Sequence, residues 1–137
     1  AKASVYSVDA WPDSPVTFAN FSFDTQALAE WHTNVEAHGV TAMPIRGDSR
    51  EVARTWTMPI GLLFIDADHD YPSIKADYGA WWQHVVAGGW IALHDYWLKG
   101  AGIRRFVDRV VAPSGLWTDV EVLGEPITGM WVGRRVG

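Results

Sequence analysis

The chain contains no cysteine. That excludes disulfides and thiolate metal sites, and with them a disulfide-stapled secreted module. No apolar run approaches the roughly 20 residues of a membrane span, so no membrane partner is expected. The N-terminus lacks the charged start and apolar stretch of a secretory signal, and a cytoplasmic location is the default expectation. Basic residues are few: 11 Lys and Arg stand against 16 Asp and Glu, a net charge of −5. Nucleic-acid binding rests on clustered Lys and Arg at phosphates, so no nucleic-acid partner is expected. Arg104, Arg105 and Arg109 fall at helical spacing and read as a solvated face.

What is present suits a globular protein. The 137 residues fit a single domain, residues 1–137, since domains commonly run to about 100–150 residues. A chain of this size buries roughly two-thirds of its unfolded surface. Nine tryptophans are many, and such rings fill cores or line clefts.

Hydrophobic periodicity orders the elements. Ser4 to Val8 alternates as a short strand ending at Asp9. Ala10 to Phe23 reads as a loop. Asp24 suits a helix N-cap, and Leu28, Trp31 and Val35 give one apolar face to a helix over Thr25–His38. Val40 to Arg46 is a second strand, and Asp48 or Ser49 caps a short helix through Trp56. Ile60 to Ile65 is a continuous apolar run, the pattern of a strand buried on both faces. Pro72 fits the first turn of a helix that Gly88-Gly89 ends. Trp90 to Leu93 is a further strand, Ile103 to Val111 a helix, and Trp117–Leu123 with Gly129–Arg135 a closing hairpin. Strand–helix alternation predicts an α/β domain with a mostly parallel sheet and an antiparallel edge from the hairpin.

Polar residues collect where the parallel strands end: Asp9, then Asp48-Ser49, then Asp66-Asp68-His69, then His94-Asp95. In open α/β sheets, ligands bind outside the carboxyl ends of the strands. Asp9 suits ribose hydroxyls or a simple turn before Pro12. Asp48 and Ser49 could meet an adenine ring or only cap their helix. Asp66 and Asp95, with His94 or Asp68, form a candidate hard-cation site, and a histidine among them admits transition ions. His69, three residues past Asp66, is a candidate general base, because imidazole exchanges protons near neutral pH.

The run Phe64-Ile65-Asp66-Ala67-Asp68-His69-Asp70-Tyr71, a helix, then Gly88-Gly89-Trp90-Ile91-Ala92-Leu93-His94-Asp95-Tyr96 resembles the class I S-adenosylmethionine-dependent methyltransferases. It is most similar to a subgroup with an IDGDHSY…GGxIxxHDY pattern, related to the macrocin and caffeoyl-CoA/catechol O-methyltransferases. Gly102-Ile103-Arg104-Arg105-Phe106-Val107 and the closing Gly129–Arg135 segment also fit. The resemblance implies a Rossmann-like sheet with helices on both faces and S-adenosylmethionine as cofactor. It places cofactor contacts at Asp9, Asp48, Ser49 and Asp66. It implies Mg²⁺ or another divalent cation at Asp66, His94 and Asp95, where relatives carry Asp-Asn or Glu-Asp at the last two positions. His69 stands where the catechol group has a lysine base, and Trp97 where relatives place a substrate-facing aromatic.

One departure is larger. The family's first strand and Gly-rich loop precede the ribose-binding acid, and the expectation is that this chain opens inside the second strand. Its sheet would then expose apolar edges, an association hazard that makes a homodimer one expectation. The leading reading is O-methylation of a small-molecule hydroxyl with cation assistance. The alternative is a non-catalytic fragment or dimer-forming remnant of such a domain. A metal-dependent phosphate-handling enzyme using Asp66 and Asp68 is a third reading, with Lys99 and Arg104 as thin support.

Overall fold

A computed structural model describes residues 4–11, 16–18, 21–23, 26–125, 127 and 129–137, with backbone alone at 16–18 and 21–23. The chain divides into two compact units, Ala1–Val52 and Ala53–Gly137.

In the first unit, β1 (Val5–Asp9) lies parallel to β4 (Ala42–Arg46), with Val8 opposite Ile45 and Asp9 opposite Arg46. Helix α1 (Ala27–Ala37) connects them on the chain. The helix expected from Thr25 is therefore shorter. Asp24 lies outside the described residues, and Gln26 stands at the N-cap without a side-chain capping bond. The stretch expected as a loop holds a small antiparallel pair, β2 (Val16–Phe18) and β3 (Phe21–Phe23). Turn residues around it hid two runs of β-favouring Val, Thr and Phe. Helix α1 buries none of its residues fully.

The second unit begins within helix α2 (Ser49–Thr55) and carries a sheet in the order β5-β6-β8-β7. β5 (Ile60–Ile65) pairs parallel with β6 (Val85–Leu93), β8 (Met130–Arg135) pairs antiparallel with β6, and β7 (Trp117–Leu123) forms the outer edge. The expected closing hairpin is thus present, with its second strand inserted next to β6. Helix α3 (Tyr71–Trp81) begins at an Asp70 N-cap, whose carboxylate accepts from the Ser73 N–H at 3.0 Å, with Pro72 in the first turn. A proline there loses no helical bond. Helix α4 (Ile103–Phe106) runs on through a wider π turn over Val107–Val111 and a tight 3-10 turn over Ala112–Ser114. Gly115 ends it at φ +71°.

Ile65, Ile91, Leu93 and Trp131 on the sheet pack with Ile74 and Tyr78 of α3 and with Phe106, Val107 and Val111. Inside this core the Trp117 indole N–H donates to the Tyr78 hydroxyl at 2.8 Å. That bond satisfies both polar tips, and burial pushes the Tyr78 phenol up from its ordinary pKa. The tryptophans meet the expectation made for them: four are buried, four half-buried, and Trp90 is exposed.

Two expectations need correction. Gly88-Gly89 does not end a helix. Helix α3 stops at Trp81, a 3-10 turn covers Trp82–His84, and both glycines lie inside β6. A Cβ on Gly89 would come within 2.9 Å of Val85 and 3.1 Å of the Gly61 carbonyl on β5. The glycines permit close strand approach, a use of Gly that a helix stop signal mimics. Second, β5 is not buried on both faces. Leu63 and Ile65 face the core, while Leu62 and Phe64 are 66% and 52% exposed. A continuous apolar run shows that both faces are apolar, but only the packing decides whether both are covered.

Candidate active site

The strand ends of the two units differ in what their carboxylates do. In the first unit, Asp9 ends β1 exposed, and one of its oxygens accepts from the Trp11 N–H at 3.4 Å. This is the turn reading, and it leaves acceptor capacity, since a carboxylate has about four lone-pair sites. Asp48 precedes α2 as its cap. It accepts from the Arg50 and Glu51 N–H groups at 2.9 and 3.3 Å and from the Arg50 guanidinium at 2.6 Å. The bond from Arg50 is the chief reason its pKa falls from the ordinary 3.8 to about 2. Ser49 is the first residue of α2 and is half-buried. The capping alternative for Asp48 is therefore realised.

In the second unit the strand ends converge. Asp66 follows β5, and His69 stands just before the Asp70 cap. His94 and Asp95 follow β6, and the His94 N–H extends the ladder by donating to the Ile65 carbonyl at 3.1 Å. That bond holds the two strand ends level. Asp95 then takes φ +56°, a left-handed conformation that Asp tolerates better than most residues. The turn swings its carboxylate back towards both imidazoles, where it is only 14% exposed.

His69 Nε2 lies 2.7 Å from an Asp95 oxygen and 3.6 Å from an Asp66 oxygen. His94 Nδ1 lies 3.2 Å from that same Asp66 oxygen and 3.3 Å from that same Asp95 oxygen. Yet neither ring nitrogen has a hydrogen-bond partner, although both atoms are buried. Distance and orientation disagree, and orientation decides: these contacts are short, but no N–H points along them. Four donor atoms thus face one another rather than pairing. Adjacent oxygen ligands around a cation at about 2.0–2.1 Å lie roughly 2.9 Å apart in an octahedron, within the spread of the three shortest contacts here. The chemistry also fits, because two carboxylates with imidazole suit Mn²⁺ or another transition ion better than a site of oxygens alone. Asp66, His69 and Asp95 each offer a ligand atom within 4.8 Å of the other two. Asp68 is exposed and belongs to no such group among the described residues.

Three loops frame this cluster. The Tyr96 N–H donates to the Gly129 carbonyl at 2.8 Å, and the Gly102 N–H donates to the His69 carbonyl at 2.6 Å. A Cβ on Gly102 would collide with the Tyr71 backbone, and one on Gly129 would meet the Trp97 ring at 2.5 Å. Trp97 is half-buried and meets Tyr96 edge-on at 4.8 Å. The two glycines escaped the sequence reading as site residues. Glycine permits the close backbone approach that both positions make, but neither Gly102 at the start of α4 nor Gly129 before β8 carries a local signal that marks it for this site.

Residues 1–96 match a family described as a methyltransferase domain. The chain belongs to this methyltransferase family. Its fold is that of the class I methyltransferases, as solved structures bear out. An rRNA methylase from Streptococcus thermophilus superimposes with a TM-score of 0.70 over 98% of this chain and 74% of its own, at 11% identity. A Streptococcus mutans protein described as a methyltransferase, in complex with SAH, gives 0.69 over 97% and 76% at 13% identity. The O-methyltransferase TomG from Streptomyces achromogenes, involved in tomaymycin synthesis and in complex with SAM, gives 0.64 over 83% and 59% at 16% identity. The neighbours include an rRNA methylase, so the expectation of no nucleic-acid partner is not supported. No helix among the described residues is long and apolar enough to cross a membrane.

Proposed function

We propose that this methyltransferase domain transfers a methyl group from S-adenosylmethionine to a hydroxyl oxygen of a small molecule, with a divalent cation held by Asp66, His94 and Asp95. The observation that carries the reading is the convergence of two imidazole nitrogens and two carboxylates without hydrogen bonds among them. When bound, S-adenosylmethionine supplies the methyl group, its C–S bond breaking as the new C–O bond forms. A cation in the cluster would supply charge that lowers the pKa of the acceptor hydroxyl. His69 takes the hydroxyl proton, and Asp95, 2.7 Å from its Nε2, stabilises the imidazolium. Trp97 faces the acceptor. Asp9 retains free acceptor sites for ribose hydroxyls. Asp48 gives its oxygens to its own helix and to Arg50; Asp48 and Ser49 are the proposed adenine contacts. Positioning two substrates in line supplies much of the rate in such a step.

The same geometry favours a second reading, in which His69 is itself a ligand, since it offers a ligand atom within 4.8 Å of those of Asp66 and Asp95. Mn²⁺ titration followed by electron paramagnetic resonance separates the two. As base, His69→Ala leaves Mn²⁺ affinity within about threefold while methyl transfer is lost. As ligand, His69→Ala weakens Mn²⁺ as much as His94→Ala does. Calorimetry with S-adenosylmethionine tests the cofactor: micromolar binding supports a working site. Absence of binding, with methyl transfer to a panel of phenols and sugars also absent, would overturn the proposal in favour of a non-catalytic remnant.

A further inference from the structure

Beyond the cation cluster, the loop that leaves β6 opens a groove of about 440 Å³ against the face of α4 and its π turn. That size falls within the range of small-molecule sites, about 300–1,000 Å³. Its charge runs against the rest of the molecule. Lys99, Arg104, Arg105 and Arg109 line it with Asp108 as the one acid, a local excess of positive charge on a chain of net charge −5.

These cations are exposed, but they do not all come from one stretch of chain. Lys99 comes from the loop and the three arginines from the helical segment, so two separate pieces of backbone converge on the groove. The Arg104 guanidinium sits over the Trp97 ring at 4.7 Å and the Tyr96 ring at 5.9 Å, and Arg105 sits over Tyr71 at 5.0 Å. Stacking on an aromatic face holds a guanidinium plane and leaves its edge free to donate. Asp108 pairs with Arg104 at 3.5 Å and accepts from the Tyr96 hydroxyl at 2.8 Å, so it offsets one of the four cations and leaves the groove positive. Trp97 adds a flat apolar wall, wedged against Gly129. The groove is joined to the cluster by covalent and hydrogen bonds: Asp95 directly precedes Tyr96, and Gly102 donates to the His69 carbonyl at 2.6 Å.

We infer that this groove is an oxyanion subsite, which binds a phosphate or carboxylate group carried by a small aromatic methyl acceptor. The aromatic body lies against Trp97, and the anion meets Lys99, Arg105 and Arg109, while Arg104 stays paired with Asp108. Its role as an acceptor subsite rests on the proposed methyl transfer, but the anion binding itself does not.

The test is calorimetry of the whole chain with phenyl phosphate, benzoate and phenol, repeated with S-adenosylhomocysteine and with a 12-nucleotide RNA. Phenyl phosphate or benzoate should bind at least tenfold tighter than phenol, the better of the two naming the anion. The double variant Lys99→Ala/Arg109→Ala changes two exposed side chains. It should lose tenfold or more of that affinity while S-adenosylhomocysteine binding holds. Equal binding of phenol and both anions, no binding of any, or an unchanged double variant overturns the subsite. RNA that binds tighter than phenyl phosphate, with a steep salt dependence, overturns it in favour of a polynucleotide groove. Failure of S-adenosylhomocysteine alone, with the anion still bound, overturns the proposed methyl transfer and leaves the subsite standing.

Discussion

Both units place an aspartate where a strand gives way to a helix, yet the two aspartates have opposite fates. Asp48 is spent locally: its own helix and Arg50 take its oxygens, and its pKa falls to about 2. Asp66 is not needed by the helix that follows, because Asp70 caps α3 instead. Four residues of loop separate strand from cap, and that spare length frees Asp66 and His69 to turn towards His94 and Asp95. A carboxylate adjacent to a helix start satisfies the backbone; one held a few residues away can face a ligand.

The largest expected effect breaks or sharpens this contrast directly. Asp95→Ala and Asp66→Ala should each weaken Mn²⁺ binding by 100-fold or more, measured by electron paramagnetic resonance, whereas Asp48→Ala should leave it unchanged. A comparable loss in all three would dissolve the distinction between cap and ligand.

A second contrast concerns the cores. Phe106 is fully buried in the second unit, and Phe106→Ala should cost about 3–5 kcal/mol in denaturant unfolding. Leu28 on α1 is only half-buried, and Leu28→Ala should cost less, about 1 kcal/mol, because less area leaves contact. Equal costs would show that α1 packs more tightly than its exposure indicates.

Gly102→Ala tests the close loop contact at the site. The added methyl must displace the Tyr71 backbone, which costs about 1–3 kcal/mol by overpacking and should reduce Mn²⁺ affinity by displacing His69. Gly39→Ala, with open space around its Cβ position, carries only the strain of φ +62° and should leave Mn²⁺ binding intact.

The smallest effect belongs to Asp48 as a cap. Asp48→Asn keeps an acceptor and should cost only a few tenths of a kcal/mol near neutrality. The sign with pH follows from the lowered pKa. The contribution of the charged carboxylate is present above about pH 4 and fades as pH falls through about 2, because the unfolded state then binds the proton first. Thermal melting of the two proteins should therefore differ at pH 6 and converge at pH 2.

Much of this was legible in the residues. The alternation of strand and helix, the Asp-rich strand ends, Pro72 at a helix start and the antiparallel closing pair all rest on local chemistry, which acts within a few residues. The glycine pair inside β6 was misread, because a helix stop and a close strand contact ask for the same residue. The β2–β3 pair was missed among turn-forming residues. Arg104, Arg105 and Arg109 are exposed, as the solvated-face reading expects, and only the tertiary structure puts Lys99 in the same groove.

The sequence by itself determined the α/β order, the family, and which polar side chains end each strand, since periodicity and capping are short-range. Only the tertiary structure decided which of those side chains meet. The 29-residue separation of Asp66 and Asp95 is closed by the β5–β6 ladder and by one hydrogen bond from His94 to Ile65. The left-handed turn at Asp95 then aims a carboxylate at two imidazoles. Register and turn geometry, not composition, make the difference between an acid that caps a helix and an acid that faces two imidazoles.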